Sequence, residues 1–200
     1  MNKFETLTAI AAPFPKKNVD TDLIIRIERC TGTPKEELGK YAFEMVRYLP
    51  GGAEDPGFVF NQPRHRNPQI IVCGEFFGTG SSREVAVWAL ESLGVRCLIA
   101  PSFGQIFFNN CFQNGLLAIV LPAPEVDALM KKASQPDAAP FTVDLARQTI
   151  NGTVHFDVAP RNRKMLLEGL DEIGLTLAME PKIAAFQAAD RLRRPWIYPV

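Results

Sequence analysis

From residue 69 onward the chain alternates short apolar runs with segments of helical period, and this alternation restricts the fold more than any other feature. The runs at 69–73, 95–100 and 116–121 are almost continuously apolar, as strands buried on both faces are. Between and after them, 82–93, 103–113 and 124–134 carry apolar residues at helical spacing. Gly94 stops the first of these helices, Asn114-Gly115 ends the second, and Pro124 stands at the start of the third. Strands joined through helices need crossovers, so a parallel α/β sheet is expected.

The remainder is less regular. Residues 6–12 read as a first strand, and Asn18-Val19-Asp20-Thr21-Asp22 as a polar turn before Leu23-Ile24-Ile25. Segment 26–68 is punctuated by Pro34, Pro50, Gly51-Gly52, Pro56-Gly57, Pro63 and Pro68, with one short helix expected from Pro34 to Arg47. An irregular stretch of this length inside a domain usually binds something or moves. Further on, Phe141–Asp144 and Thr153–Val158 flank Asn151-Gly152, a hairpin turn signal. Helices are expected at 160–169 and, after Leu175-Thr176-Leu177, at 180–191. The whole reads as one domain, 1–200, with the hairpin and helices of 141–200 as additions.

The loop Gly78-Thr79-Gly80-Ser81-Ser82-Arg83-Glu84 joins a strand to a helix start. Its glycines admit a close ligand, and the first helical N–H groups lack intrahelical partners, so an anion is favoured there. A P-loop would need a lysine, and a dinucleotide fingerprint would need glycine where Arg83 stands. A guanidinium forks well onto a carboxylate, which makes a carboxylate the better ligand. One serine suffices to cap the helix, leaving the other unexplained. As a base or nucleophile, Ser81 needs a lowered pKa, which loop N–H groups and Arg83 help to supply. The two histidines, His65 and His155, fall in a loop and a hairpin strand. Asp20 and Asp22 are too few for a calcium loop and read as an Asx-turn and cap.

The 22 basic and 22 acidic side chains cancel, giving no electrostatic case for nucleic acid or an anionic membrane. The basic, aromatic tail around Arg191, Arg193, Arg194 and Trp196 reads instead as a subunit contact or a snorkelling segment. Cys30, Cys73, Cys97 and Cys111 form no CxxC pair, which argues against a zinc or cluster site in this chain. Cys73 and Cys97 fall in strands and read as small buried hydrophobes. No apolar leader or membrane-length run is present, so a cytoplasmic protein is expected.

The loop resembles the swivel-domain signature of the aconitase superfamily. Asn18–Ile25, Phe58-Val59-Phe60-Asn61-Gln62-Pro63, Ala100-Pro101-Ser102-Phe103 and Asn114-Gly115-Leu116-Leu117 narrow the resemblance to the small-subunit family of 3-isopropylmalate dehydratase. Gly169–Leu177 and Ile183-Ala184-Ala185-Phe186 fit as well. The resemblance implies a swivelling β/β/α domain, and a hydro-lyase that removes water from a hydroxy-dicarboxylic acid and returns it at the neighbouring carbon. It implies a [4Fe-4S] cluster on a separate large subunit, acting as Lewis acid on the departing hydroxyl. Ser81 is then the base, Arg83 holds the adjacent carboxylate, and N–H groups of Gly80 to Ser82 support both charges.

The chain departs from that family's usual loop, Gly-Cys-Gly-Ser-Ser-Arg-Glu-His-Ala-Pro, by having Thr79, Val85 and Val87. After Ile24-Ile25 the usual proline is Arg26, within a segment that reads the substrate side chain. Arg26 and Arg29 there either favour a smaller or more acidic substrate or pair with Glu28 and Glu36, the commoner fate of surface charges. A related hydratase of citramalate or dimethylmalate, and a swivel domain kept only for subunit association, are the alternative readings.

Overall fold

A computed structural model describes residues 1–198. The region read as one N-terminal strand is two: β1 (Thr6–Ala9) and β2 (Ala11–Phe14) enter different sheets. A one-turn helix, α1 (Thr21–Ile24), follows, and the Asp20 side chain caps it by accepting from the Leu23 N–H at 2.7 Å. The helix expected from Pro34 to Arg47 is broken. A 3-10 helix covers Lys35–Lys40, Phe43 takes a left-handed φ of 60°, and α2 (Glu44–Arg47) is a single turn.

Strand β3 (Ile70–Cys73), helix α3 (Glu84–Leu93), β4 (Cys97–Ala100), α4 (Gln105–Gln113), β5 (Leu117–Val120) and α5 (Ala123–Ala133) realise the alternating pattern. The sheet order is β2-β3-β4-β5, all parallel, with Ile70 opposite Cys97 and Cys97 opposite Leu117. β3 and β4 are buried throughout. Pro13 is tolerated because β2 is the edge, where one missing donor costs no ladder bond.

The C-terminal hairpin differs from its sequence reading. Across Asn151-Gly152 the partners are β7 (Thr149–Ile150) and β8 (Val154–His155), and β6 (Phe141–Asp144) pairs with β7 from the other side. Asn151 and Gly152 both take positive φ, 53° and 69°, so the turn chemistry was legible although the strand pairing was not. β1 completes this second, antiparallel sheet on β6. Helix α6 (Pro160–Glu168) ends at Gly169, and α7 (Glu172–Leu177) and α8 (Glu180–Arg193) follow.

Segment 26–68 has little regular structure but is held to the sheet through the main core, around Phe14 of β2. The rings of Phe14, Phe43, Phe58 and Phe60 lie 5.1–6.1 Å apart. Arg47 is buried, donating from Nε to Asn61 Oδ1 at 3.0 Å and from Nη1 to the Gly39 carbonyl at 3.2 Å. The Asn61 amide donates in turn to the carbonyls of Arg47 and Asp55. The 3-10 helix lies so close to the end of α3 that a Cβ on Gly39 would sit 2.6 Å from Leu93 N.

Candidate active site

The loop between β3 and α3 is shaped by two close approaches. Gly78 (φ 74°) and Gly80 (φ 90°) take left-handed backbone. A Cβ on Gly78 would fall less than 3.0 Å from three atoms of the Phe107 ring, so the loop presses directly on α4. The Asn18–Asp22 turn supports the other side. Gly78 and Thr79 donate N–H to the Val19 carbonyl at 2.7 and 3.1 Å, and Thr21 donates to the Thr79 carbonyl at 2.9 Å. Thr21 Oγ1 accepts from the Ser81 N–H at 3.3 Å and lies 3.4 Å from the Ser81 carbonyl, to which it donates.

Neither serine caps the helix. α3 begins at Glu84 with Arg83 in the N-cap position and no side-chain cap, two residues later than the sequence pattern suggested. Ser81 and Ser82 are both exposed, and among the described residues neither hydroxyl is hydrogen-bonded. The Ser81 N–H is spent on Thr21, so the loop donors left for an anion are those of Gly80 and Ser82. The start of α3 is fixed by Asn114, whose amide donates to Glu84 Oε1 at 2.8 Å while its oxygen accepts from Trp88 Nε1 at 2.9 Å.

Arg83 is partly buried and forms an ion pair with Asp22, through Nη1. That hydrogen bond, with the Asp22 charge, raises the guanidinium pKa against a smaller loss from burial. Its Nε and Nη2, the edge that forks onto a carboxylate, have no protein partner among the described residues. Cys30 lies close enough to feel this pair: burial raises its thiol pKa, and Arg83 partly offsets the rise.

Arg26 and Arg29 are engaged elsewhere. Arg26 forks onto Glu28 at 3.1 and 2.9 Å. Arg29 pairs with Glu44, not with Glu36, and its guanidinium stacks 4.2 Å from the Tyr41 ring centre. Both arginines flank Glu44, which with Arg26, Lys40, Tyr41 and Tyr48 lines an open cleft of about 480 Å³. Thr21 and Glu44, which contact these candidates, had no role in the sequence reading, and Asp22, read with Asp20 as an Asx-turn and cap, pairs with Arg83 while Asp20 alone caps. Asp22 meets Arg83 across 61 positions, a pairing no local pattern announces.

The cysteines do not fit an iron–sulfur cluster. Cys73, Cys97 and Cys111 are fully buried, and burial raises all three thiol pKa values. Among the described residues no three His, Cys, Asp or Glu side chains gather as a metal site. Nor is any helix there long and apolar enough to cross a membrane.

The aconitase C-terminal-domain family matches residues 1–124, and the C-terminal domain of the 3-isopropylmalate dehydratase small subunit matches 172–200. The 3-isopropylmalate dehydratase small subunits of Paramagnetospirillum magneticum and Parvibaculum lavamentivorans are each 50% identical over 98% of this chain and 100% of their own length. The chain belongs to the 3-isopropylmalate dehydratase small-subunit family. A solved 3-isopropylmalate dehydratase (LeuD) from Methanocaldococcus jannaschii superposes with a TM-score of 0.62 at 24% identity, spanning 91% of this chain and 99% of that one. The family's fold is therefore the one described above.

Proposed function

We propose that this chain is the small subunit of a cytoplasmic hydro-lyase that interconverts 2- and 3-isopropylmalate in leucine biosynthesis, active only with a large subunit. Full-length identity of 50% to relatives named for that reaction carries the reading. In it, the free Nε/Nη2 edge of Arg83 holds a substrate carboxylate while Asp22 keeps the guanidinium oriented. Ser81 Oγ takes the proton from the carbon next to that carboxylate. The C–H electron pair becomes the double bond as the neighbouring hydroxyl leaves with its bonding pair as hydroxide, which takes a proton from solvent to become water. Addition of water in the opposite sense at the other carbon gives the isomer.

Among the described residues no histidine is hydrogen-bonded to Ser81, so on this chain its anion depends on local donors: the N–H groups of Gly80 and Ser82, and the fixed charge of Arg83. Thr79 presents its backbone to the Asn18–Asp22 turn, donating to the Val19 carbonyl and accepting from the Thr21 N–H. Arg26 and Arg29 reach the substrate side chain only by leaving Glu28 and Glu44. The [4Fe-4S] cluster implied by the resemblance sits on the large subunit in this reading, and this chain's part is confined to binding and proton transfer. The test is Ser81→Ala in the complex reconstituted with a large subunit, assayed on 2-isopropylmalate, citramalate and dimethylmalate. Turnover should fall by about 10²–10⁴ with association unchanged. Unaltered turnover removes Ser81 as the base, and a preference for citramalate removes the substrate.

A further inference from the structure

We infer that the Thr21 hydroxyl is the positioning group for Ser81, acting on the backbone of the residue that serves as base. The inference deepens the proposed function and rests on Ser81 being that base. Thr21 is 1% exposed, whereas Gly80, Ser81 and Ser82 all lie open to solvent. Among the described residues, the stretch 80–82 is hydrogen-bonded to another element only through this one side chain. Thr21 Oγ1 accepts from the Ser81 N–H at 3.3 Å and donates to the Ser81 carbonyl at 3.4 Å. A hydroxyl has one donor and two acceptor lone pairs, so a single oxygen can serve both groups, where an ammonium or an ionised carboxylate could serve only one. At these lengths neither contact contributes much energy. Their effect is directional. With its N–H and C=O both turned towards one fixed oxygen, Ser81 is held against rotation about its own backbone, and the setting of its Cα–Cβ bond follows.

The oxygen is fixed because the turn that carries it is rooted in the core. Val19, Ile24 and Ile25 are fully buried. The Thr21 N–H donates to the Thr79 carbonyl at 2.9 Å, and the Thr21 carbonyl accepts from the Ile25 N–H at 2.9 Å. The branched Cβ restricts χ1, so the hydroxyl keeps its direction. Three consecutive residues divide the work: Asp20 caps α1, Thr21 takes the Ser81 backbone and Asp22 takes Arg83. Base and carboxylate anchor are thereby referenced to the same helical turn, while α3 has no side-chain cap to hold the loop from its other end. A cap by Ser81 would have tied up its hydroxyl; Thr21 holds the backbone instead and leaves Oγ to the substrate. Placement matters because a misplacement of ~1 Å at the reacting atoms can cost about 10²-fold in rate.

Thr21→Val keeps the shape, the branched Cβ and the backbone bonds and removes the hydroxyl. The Ser81 carbonyl retains the Arg83 N–H at 2.8 Å, and the Ser81 N–H belongs to an exposed residue that water reaches, so the variant should fold. In the complex reconstituted with a large subunit and assayed on 2-isopropylmalate, kcat should fall about 10–100-fold. KM should stay within about threefold of wild type, because Asp22 still holds Arg83. Thr21→Ser, which restores the hydroxyl, should bring kcat back to within about threefold. In a Ser81→Ala background, Thr21→Val should change kcat by less than about threefold, since the group it positions is gone. A role in stability alone would lower the unfolding temperature and leave this pattern absent. In the unaltered chain, NMR should show the Ser81 amide exchanging with solvent at least about tenfold more slowly than those of Gly80 and Ser82. A Thr21→Val loss in kcat below about fivefold, an equal loss with and without the Ser81 hydroxyl, or equal exchange rates across 80–82 overturns the inference. If Ser81→Ala by itself leaves turnover unaltered, the reading of Ser81 as base falls and the inference with it, an outcome told apart from the others because it needs no change at Thr21.

Discussion

Substituting Gly78 by alanine should separate two costs that the loop between β3 and α3 imposes on its backbone. The first is conformational: at φ 74° an L-residue loses roughly 1–2 kcal/mol relative to glycine. The second is steric. The new Cβ would fall inside 3.0 Å of the Phe107 ring, and that ring has nowhere to go. Phe107 is buried with its centre 5.7 Å from Phe77 and 6.4 Å from Phe103. Forcing an extra methyl into such packing costs about 1–3 kcal/mol, so the total is about 2–5 kcal/mol. Gly152→Ala supplies the control. Its φ is 69°, but nothing lies within 4 Å of the added Cβ, so only the conformational cost applies.

Urea unfolding of the isolated chain measures both. With an m-value of about 3 kcal/mol/M, the Gly78→Ala midpoint should fall by roughly 0.7–1.7 M, and Gly152→Ala by less than half of the larger figure. Combining Gly78→Ala with Phe107→Leu should recover at least ~1 kcal/mol through coupling. Equal losses at Gly78 and Gly152, or no coupling to Phe107, would refute the claim that the loop is seated against α4.

Arg83→Lys keeps the charge but loses the forked edge, so KM in the reconstituted enzyme should rise about 10–100-fold; an unchanged KM removes Arg83 as the carboxylate anchor. Asn61→Ala leaves the buried Arg47 Nε without its partner, while the carbonyls of Arg47 and Asp55 keep the N–H groups of Asp55 and Phe58, and calorimetry should show a loss of about 1–3 kcal/mol, whereas a loss below about 0.5 kcal/mol would mean that water replaces the amide. His65 is buried with Nδ1 unpartnered among the described residues, and burial, then the nearby Arg64, holds its pKa below the ordinary 6.5. The neutral ring is therefore favoured by folding, a contribution fully present above pH 6.5 and lost as pH falls through the depressed value. His65→Gln should flatten the pH dependence of stability between about pH 7 and 5, and an identical slope in the variant would assign that dependence to other groups.

What the sequence determined by itself was local. Apolar runs buried on both faces, separated by helical periods, have only a parallel sheet to enter, and the glycine, serine and arginine of 78–83 can be read without coordinates. Asn151-Gly152 likewise announced its turn, because only residues that accept positive φ fit there. The tertiary structure decided whatever depends on partners far apart in the chain. β1 left β2 for a different sheet because β6 offered it an antiparallel edge. The helix expected at 34–47 broke because Gly39 must touch the end of α3 and Arg47 must reach Asn61. Arg83 met Asp22 across 61 residues through Nη1, and the serines that looked like caps became an exposed pair of hydroxyls. Periodicity and turn chemistry act over a few residues, so they are legible in one dimension; charge pairing and close backbone approach act through space and are not.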